Sequence, residues 1–289
     1  MVVRDLGYRA YEGRLLSPSH NVWVLWRYGL KRAWSSWFVK LSILFCWTTA
    51  LAPIGFIIIS FYMGVSSGMG NNAPAVGPEG ATLLPSLFNW QLWLFVSLIT
   101  VKIGASAVAE DLAHKAFSFF FSKPVSRVHY LGGRIGAIGS IVFAVSALPA
   151  LLVVLALCLT APPEHLSERA WLVMPSLTYA LVIAVVASSA SVAVSSLSRS
   201  RALTMTGWLL LWIVPHILSG VAGLVTDKPW LKLVSLPALL DHFGQTLFRP
   251  SELPIEGVQW FVTAGVLAVI VGLSLWLADW RLRSVEVVQ

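Results

Sequence analysis

Six stretches of the chain are almost wholly apolar, and the charged residues collect between them. The stretches run over 38–63, 87–108, 135–160, 171–197, 203–225 and 258–280. A hydrocarbon core of about 30 Å takes about 20 apolar residues as helix, so each stretch is long enough to cross it. The pattern predicts an all-α integral membrane protein of six transmembrane helices. Pro53, Pro149, Pro175 and Pro215 lie inside or near the starts of these runs. Membrane helices tolerate them, because neighbouring helices satisfy the freed backbone groups.

Two connections differ in character. Segment 64–85 is rich in Gly, Asn, Pro and Ser and predicts an irregular connection. Segment 227–257 is too apolar for a plain loop and too short and interrupted to span. It predicts a re-entrant or interface-lying pair of short helices. Ahead of the first span, Trp23, Trp26, Leu30, Trp34 and Trp37 recur at spacings of three and four, flanked by Arg27, Lys31 and Arg32. That is a basic amphipathic helix, with rings toward lipid and cations toward phosphate. The alternative is an aromatic belt that simply extends the first span. The resulting organisation is 1–37 as N-terminus and amphipathic helix, 38–280 as the six-helix domain, and 281–289 as a tail.

Composition agrees with this reading. Of 289 residues, 57% are hydrophobic and 11% charged, against roughly 25% charged in soluble domains. Fifteen of the twenty Lys and Arg fall on one side of the predicted spans, in segment 1–40, the second-to-third loop, the fourth-to-fifth loop and the tail. That side is therefore expected to be cytoplasmic, with both termini there. The net charge of +7 does not predict nucleic-acid binding, because the cations lie between apolar runs and form no aromatic-laced basic face. Cys46 and Cys158 each fall inside an apolar run and read as small hydrophobes. The charged N-terminus, with Arg4, Asp5, Arg9, Glu12 and Arg14, reads as a cytoplasmic start and not a cleavable leader.

Segment 109–134 carries the most unusual chemistry. Glu110 and Asp111 fall at the end of the second predicted helix, where the macrodipole does not favour acids. Phe117, Phe119, Phe120 and Phe121 follow, expected to expose apolar area beside charge, the mark of a docking surface. Pro124 ends the element and Arg127 begins the approach to the third span.

These residues resemble the ABC-2 type transporter permeases, the membrane subunits of ABC exporters. That family's pattern has an acidic residue after the second helix, a short apolar helix, (S/R)-P-(V/L)-S-R, then Y-L-L-G-K. Here Glu110–Asp111 is followed by Ser122-Lys123-Pro124-Val125-Ser126-Arg127 and Tyr130-Leu131-Gly132-Gly133-Arg134, departing at Lys123, Gly132 and Arg134. The resemblance implies that the loop is a coupling helix seated on a separate nucleotide-binding ATPase. It also implies a dimer with a second permease copy or paralogue, and an elbow helix before the first span. ATP and Mg would be bound by the partner, with no cofactor in this chain. The expected location is a bacterial inner membrane.

The chain contains no G-x-x-x-x-G-K-(S/T), hence no P-loop of its own. Gly132, Gly136 and Ser140 instead form a small-residue stripe suited to close helix packing. In the fourth span, Ala184, Ser188, Ser191 and Ser195 form a second such stripe, read as packing over hydrophilic lining. Lys102 is either a pathway residue or a snorkelling cation. His216, after Pro215, reads as a structural His ahead of a pathway residue. Asp241–His242 is too isolated for a metal site, which needs three or four ligands. The alternative class is an intramembrane enzyme such as a rhomboid-like protease. Its only Ser and His candidates lie in Gly104–Ala107 and at His216, on different helices and without the G-x-S-G pattern. A voltage sensor or channel would need a repeated-Arg helix or a filter loop, and neither occurs.

Overall fold

The computed structural model describes residues 20–66, 80–117, 125–226, 228–249, 255 and 258–286. These residues are almost wholly helical, and no strand occurs among them. Six helices are long and apolar enough to cross a membrane: Trp37–Met63, Leu83–Ala113, Arg127–Leu159, Pro163–Ser196, Arg201–Thr226 and Trp260–Arg283. They match the six apolar runs in number and order, so the chain is a multi-pass membrane protein by length and composition.

The first span is two helices, α2 (Trp37–Thr48) and α3 (Leu51–Ser66), preceded by α1 (His20–Ser35). The break at 49–50 has a covalent cause. Pro53 has no N–H for the Thr49 carbonyl, and its ring crowds the preceding turn. The second span begins with α4 (Gly80–Trp90), so helix replaces the irregular backbone expected at 80–85. Leu84, Leu87 and Phe88 bury a common apolar face there, which outweighs the penalty of Pro85 inside the helix. The span then widens into π-helical turns at Gln91–Val96 and Thr100–Gly104 and restarts as α5 (Ala107–Ala113).

The third span, α6 (Arg127–Leu159), is continuous for 33 residues and starts where Ser126 Oγ accepts from the His129 N–H at 3.3 Å. The fourth comprises α7 (Leu166–Trp171) and α8 (Val173–Ser196), and the fifth is α9 (Arg201–Thr226). Between the fifth and sixth spans, a 3₁₀ turn (Pro229–Val234) leads into α10 (Leu236–Phe248). The sixth span lies within α11 (Trp260–Glu286). Two short helical elements therefore occupy 229–248, as the interrupted apolar pattern predicted. Nine of the thirteen α10 residues are buried, so this helix is packed into the bundle and does not lie on its surface.

Burial divides the spans sharply. The most apolar windows of the second, third and fourth spans are 67%, 56% and 67% buried, against 22%, 17% and 22% for the first, fifth and sixth. The central three make the core, and the others turn long apolar faces outward. Such faces need lipid or another subunit against them.

Small residues set the closest approaches. On α8, Ser188 and Ser191 are fully buried against Gly139 and Gly104. The Ser stripe of the fourth span is thus a packing surface, as read from its spacing. A Cβ on Gly244 would collide with the Tyr179 ring, which holds α10 tightly against α8. Cys46 is buried, with Sγ 3.4 Å from the Val145 carbonyl oxygen, and Cys158 is half-buried.

The amphipathic segment is helical but faces differently from expectation. Val22, Leu25, Trp26, Gly29 and Ala33 turn toward the third span, and Trp26 Nε1 donates to Ser140 Oγ at 2.9 Å. Trp26 is therefore a protein contact and not a free lipid-facing ring. The reason is steric. Gly29 opposes Ala137, and Gly133 and Gly136 oppose Leu25 and Trp26, so two nearly smooth surfaces meet. Trp23, Trp34 and Trp37 remain exposed, and Arg27 lies over the Trp23 ring at 5.3 Å.

Candidate functional site

One end of the bundle gathers Arg32, Glu110, Asp111, Arg134 and Arg201 from four separate elements. Its foundation is the break in the second span. Restarting the helix at Ala107 leaves its first N–H groups without intrahelical partners. Ser195, from the fourth span, supplies the acceptor: its Oγ takes the Val108 N–H at 2.9 Å and the Ala109 N–H at 3.0 Å. The restart also puts Glu110 in the first turn of a new helix. There the dipole favours an acid, the reverse of what an unbroken helix would impose.

Glu110 and Asp111 then divide the work. Glu110 is bonded by Arg32 of α1 and by Arg201 Nη1 of α9, the latter at 2.9 Å. Asp111 is buried and bonded by the Tyr130 hydroxyl and by Arg134 Nη2, both of the third span. Arg134 also lies over the Tyr130 ring at 5.5 Å. The acidic pair thus joins the end of the second span to α1 and to the starts of the third and fifth. A buried carboxylate requires such partners, since an unpaired ion in a dry interior is strongly disfavoured.

Phe117 was expected to expose apolar area, and the structure corrects this. It is 2% exposed and packs edge-on against Tyr130, with centroids 5.1 Å apart. Tyr130 uses its hydroxyl for Asp111 and its ring face for Phe117, so the first Phe seals the ionic junction. Phe119, Phe120, Phe121 and Pro124 lie outside the described residues. Arg127 approaches Asp279 of the sixth span, Nε to Oδ1 at 4.0 Å, and Asp279 also bonds Arg283 at 2.7 Å.

The two pathway candidates are separated. Lys102 lines a cavity of about 260 Å³ beside the ionic junction, together with Arg32, Glu110, Arg134 and Arg201. His216 has its Nδ1 3.2 Å from Ser235 Oγ, the N-cap of α10, and its ring edge-on to Trp93 at 4.4 Å. It belongs to a second polar group that includes Asp241, held by Gln245 Nε2 at 2.7 Å and by Asn89. In that group, burial pushes the Asp241 carboxyl above its ordinary value, while Asn89 and Gln245 pull it back. Burial pushes His242 down, against the attraction of Asp241. His242 Nδ1 is 3.1 Å from Thr263 Oγ1 of the sixth span.

The Ser and His that an intramembrane-hydrolase reading would pair have other partners among the described residues. Ser106 Oγ donates to the Lys102 carbonyl at 2.7 Å, and His216 is engaged with Ser235 and Trp93.

Sequence reasoning singled out the acidic pair but not its partners. Tyr130, Arg134, Arg201 and Arg32 read individually as motif letters or as cytoplasmic cations. A signal was present: two adjacent carboxylates among fifteen cations on one side must find partners, and the nearest span starts carry them. No protein-family model matches this chain and no curated protein matches it significantly, so its geometry and motif carry the functional reading.

Proposed function

We propose that the chain is the permease subunit of an ATP-binding cassette exporter of the ABC-2 type, working with a separate ATPase. The observation that carries this reading is the Glu110–Asp111 junction. The two carboxylates that immediately precede segment 112–126 are bonded to α1 and to the starts of the third and fifth spans. A push on 112–126 is thereby delivered to several helices at once, which is what a coupling element must do.

Further support comes from the elements around it. Helix α1 lies against the third span and α10 is packed inward, and this reading takes them as the elbow and re-entrant helices. The outward apolar faces of the first, fifth and sixth spans offer area for a second permease copy as well as for lipid. In this reading the basic end faces the cytoplasm of a bacterial cell, following the positive-inside distribution. Phe119–Phe121 dock on the ATPase, and the partner binds ATP and Mg. The substrate class is not encoded in faces made of Ala, Leu, Ser and Trp.

The test is copurification from cells expressing the chain with its ATPase. The wild-type chain is expected to retain the ATPase, and replacing Phe119, Phe120 and Phe121 by Ser should release it. Unchanged retention by the triple variant would remove the coupling assignment.

A further inference from the structure

The cavity beside the ionic junction has a charge balance that its own ion pairs do not satisfy. Four cations line it: Arg32, Lys102, Arg134 and Arg201. Two carboxylates answer them, Glu110 at the lining and Asp111 behind Arg134. Two positive charges remain in excess. Lys102 makes no ion pair among the described residues, and its ammonium is therefore the free charge of the group. Arg134 is 5% exposed, and its Nε is buried with no hydrogen-bond partner. Its Nη2 is held by Asp111, so the cation left to meet an anion inside the cavity is Lys102.

Part of the wall is apolar, formed by Ile103, Ile138 and Ile141. The cavity volume of about 260 Å³ far exceeds the ~30 Å³ share of one water. Arg32 and Arg201 are 42% and 45% exposed at the side chain, so the charged rim opens outward. A concave site between apolar helices, cationic at the rim and apolar along part of its wall, matches a phosphate ester that carries hydrocarbon. A free phosphate would share the cations but leave the Ile wall unused.

We infer that this cavity binds the phosphate headgroup of an anionic phospholipid, with Lys102 as its principal donor and Arg32 and Arg201 at its rim. The lipid would sit between α1, the second, third and fifth spans, where its charge completes the junction around Glu110. The site requires the membrane placement and not the ATPase partner, so it fails or stands separately from the transporter reading.

Thermal unfolding of the full chain in neutral detergent tests this with three additives: phosphatidylglycerol, phosphatidylcholine and inorganic phosphate. Phosphatidylglycerol is expected to raise the unfolding temperature by several degrees and to remain bound in native mass spectra. The other two should do neither. Lys102→Met should weaken phosphatidylglycerol binding roughly fivefold, the contribution of one cation near a charged headgroup. Lys102→Arg should preserve it. Equal shifts from phosphatidylcholine, or an unchanged affinity in Lys102→Met, would overturn the site. A full shift from inorganic phosphate would reassign it to a free anion. The wild-type comparison of the three additives stands even where a variant fails to fold.

Discussion

Arg201 Nη1 lies 2.9 Å from Glu110 Oε1 and joins the start of the fifth span to the short helix that ends the second. The second Glu110 oxygen is taken by Arg32 of α1. A single carboxylate therefore ties together three elements that are remote in sequence. Both arginines are more than a third exposed, so screening limits what the pairs add to stability.

Glu110→Gln should accordingly lower unfolding stability by no more than about 1 kcal/mol. Its effect on coupling should be larger, because the neutral amide no longer holds both arginines. The expected outcome is a complex that still assembles with its ATPase but shows ATP hydrolysis independent of substrate. Hydrolysis measured with and without crude substrate extract checks this, and retained stimulation would count against the junction's role.

Asp111 behaves differently because it is buried with Arg134. Asp111→Ala leaves a buried guanidinium uncompensated, and a loss of about 3–5 kcal/mol is expected. Replacing both partners by apolar residues, Asp111→Leu with Arg134→Met, should recover much of that loss. Denaturant titration in mixed micelles measures both variants, and an additive double variant would contradict the pairing.

The packing of α1 on the third span depends on absent side chains. A Cβ at Gly133 would sit 2.5 Å from Leu25 Cβ, and at Gly29 it would sit 2.6 Å from Ala137 Cβ. Gly133→Ala should destabilise by about 1–3 kcal/mol through forced separation of the helices. Trp26→Phe, which loses the bond to Ser140, should cost about 1 kcal/mol. Protease sensitivity of α1 is the direct readout, and it should rise in both variants.

Much of this was legible in the sequence. Run lengths predicted six spans, and the small-residue stripes at Gly132–Ser140 and Ser188–Ser195 marked real contacts. What failed were the features set by partners. Trp26 shares a helical face with exposed aromatics, and only the glycines opposite it turn that face inward. Phe117 belongs to a Phe run, but Tyr130, thirteen residues later, buries it. The break at 105–106 carries no Pro or Gly-Pro signal; it is accommodated by Ser195 from another helix. The favourable dipole at Glu110 follows from that break and was invisible without it.

A pH dependence is expected at Asp241 and His242 of α10, outside the six spans. His242 is held below its ordinary value of 6.5, so its neutral form stabilises the fold above that value. That contribution is lost as pH falls below 6.5 through the lowered value. Asp241 has the opposite sign: its value is raised above 3.8, so stability falls as pH rises from 3.8 through the raised value. Asp241→Asn should remove the second effect and His242→Gln the first. Unfolding temperatures between pH 4 and 8 resolve the two, and unaltered profiles in both variants would refute the assignments.

The central proposal is that this chain is one of two permease subunits in an ATP-driven complex. Native mass spectrometry of the complex solubilised from its own membranes tests it most directly. The predicted result is two permease subunits with two copies of a subunit that carries a P-loop and binds ATP. A chain recovered by itself, or with a partner lacking a P-loop, would contradict it.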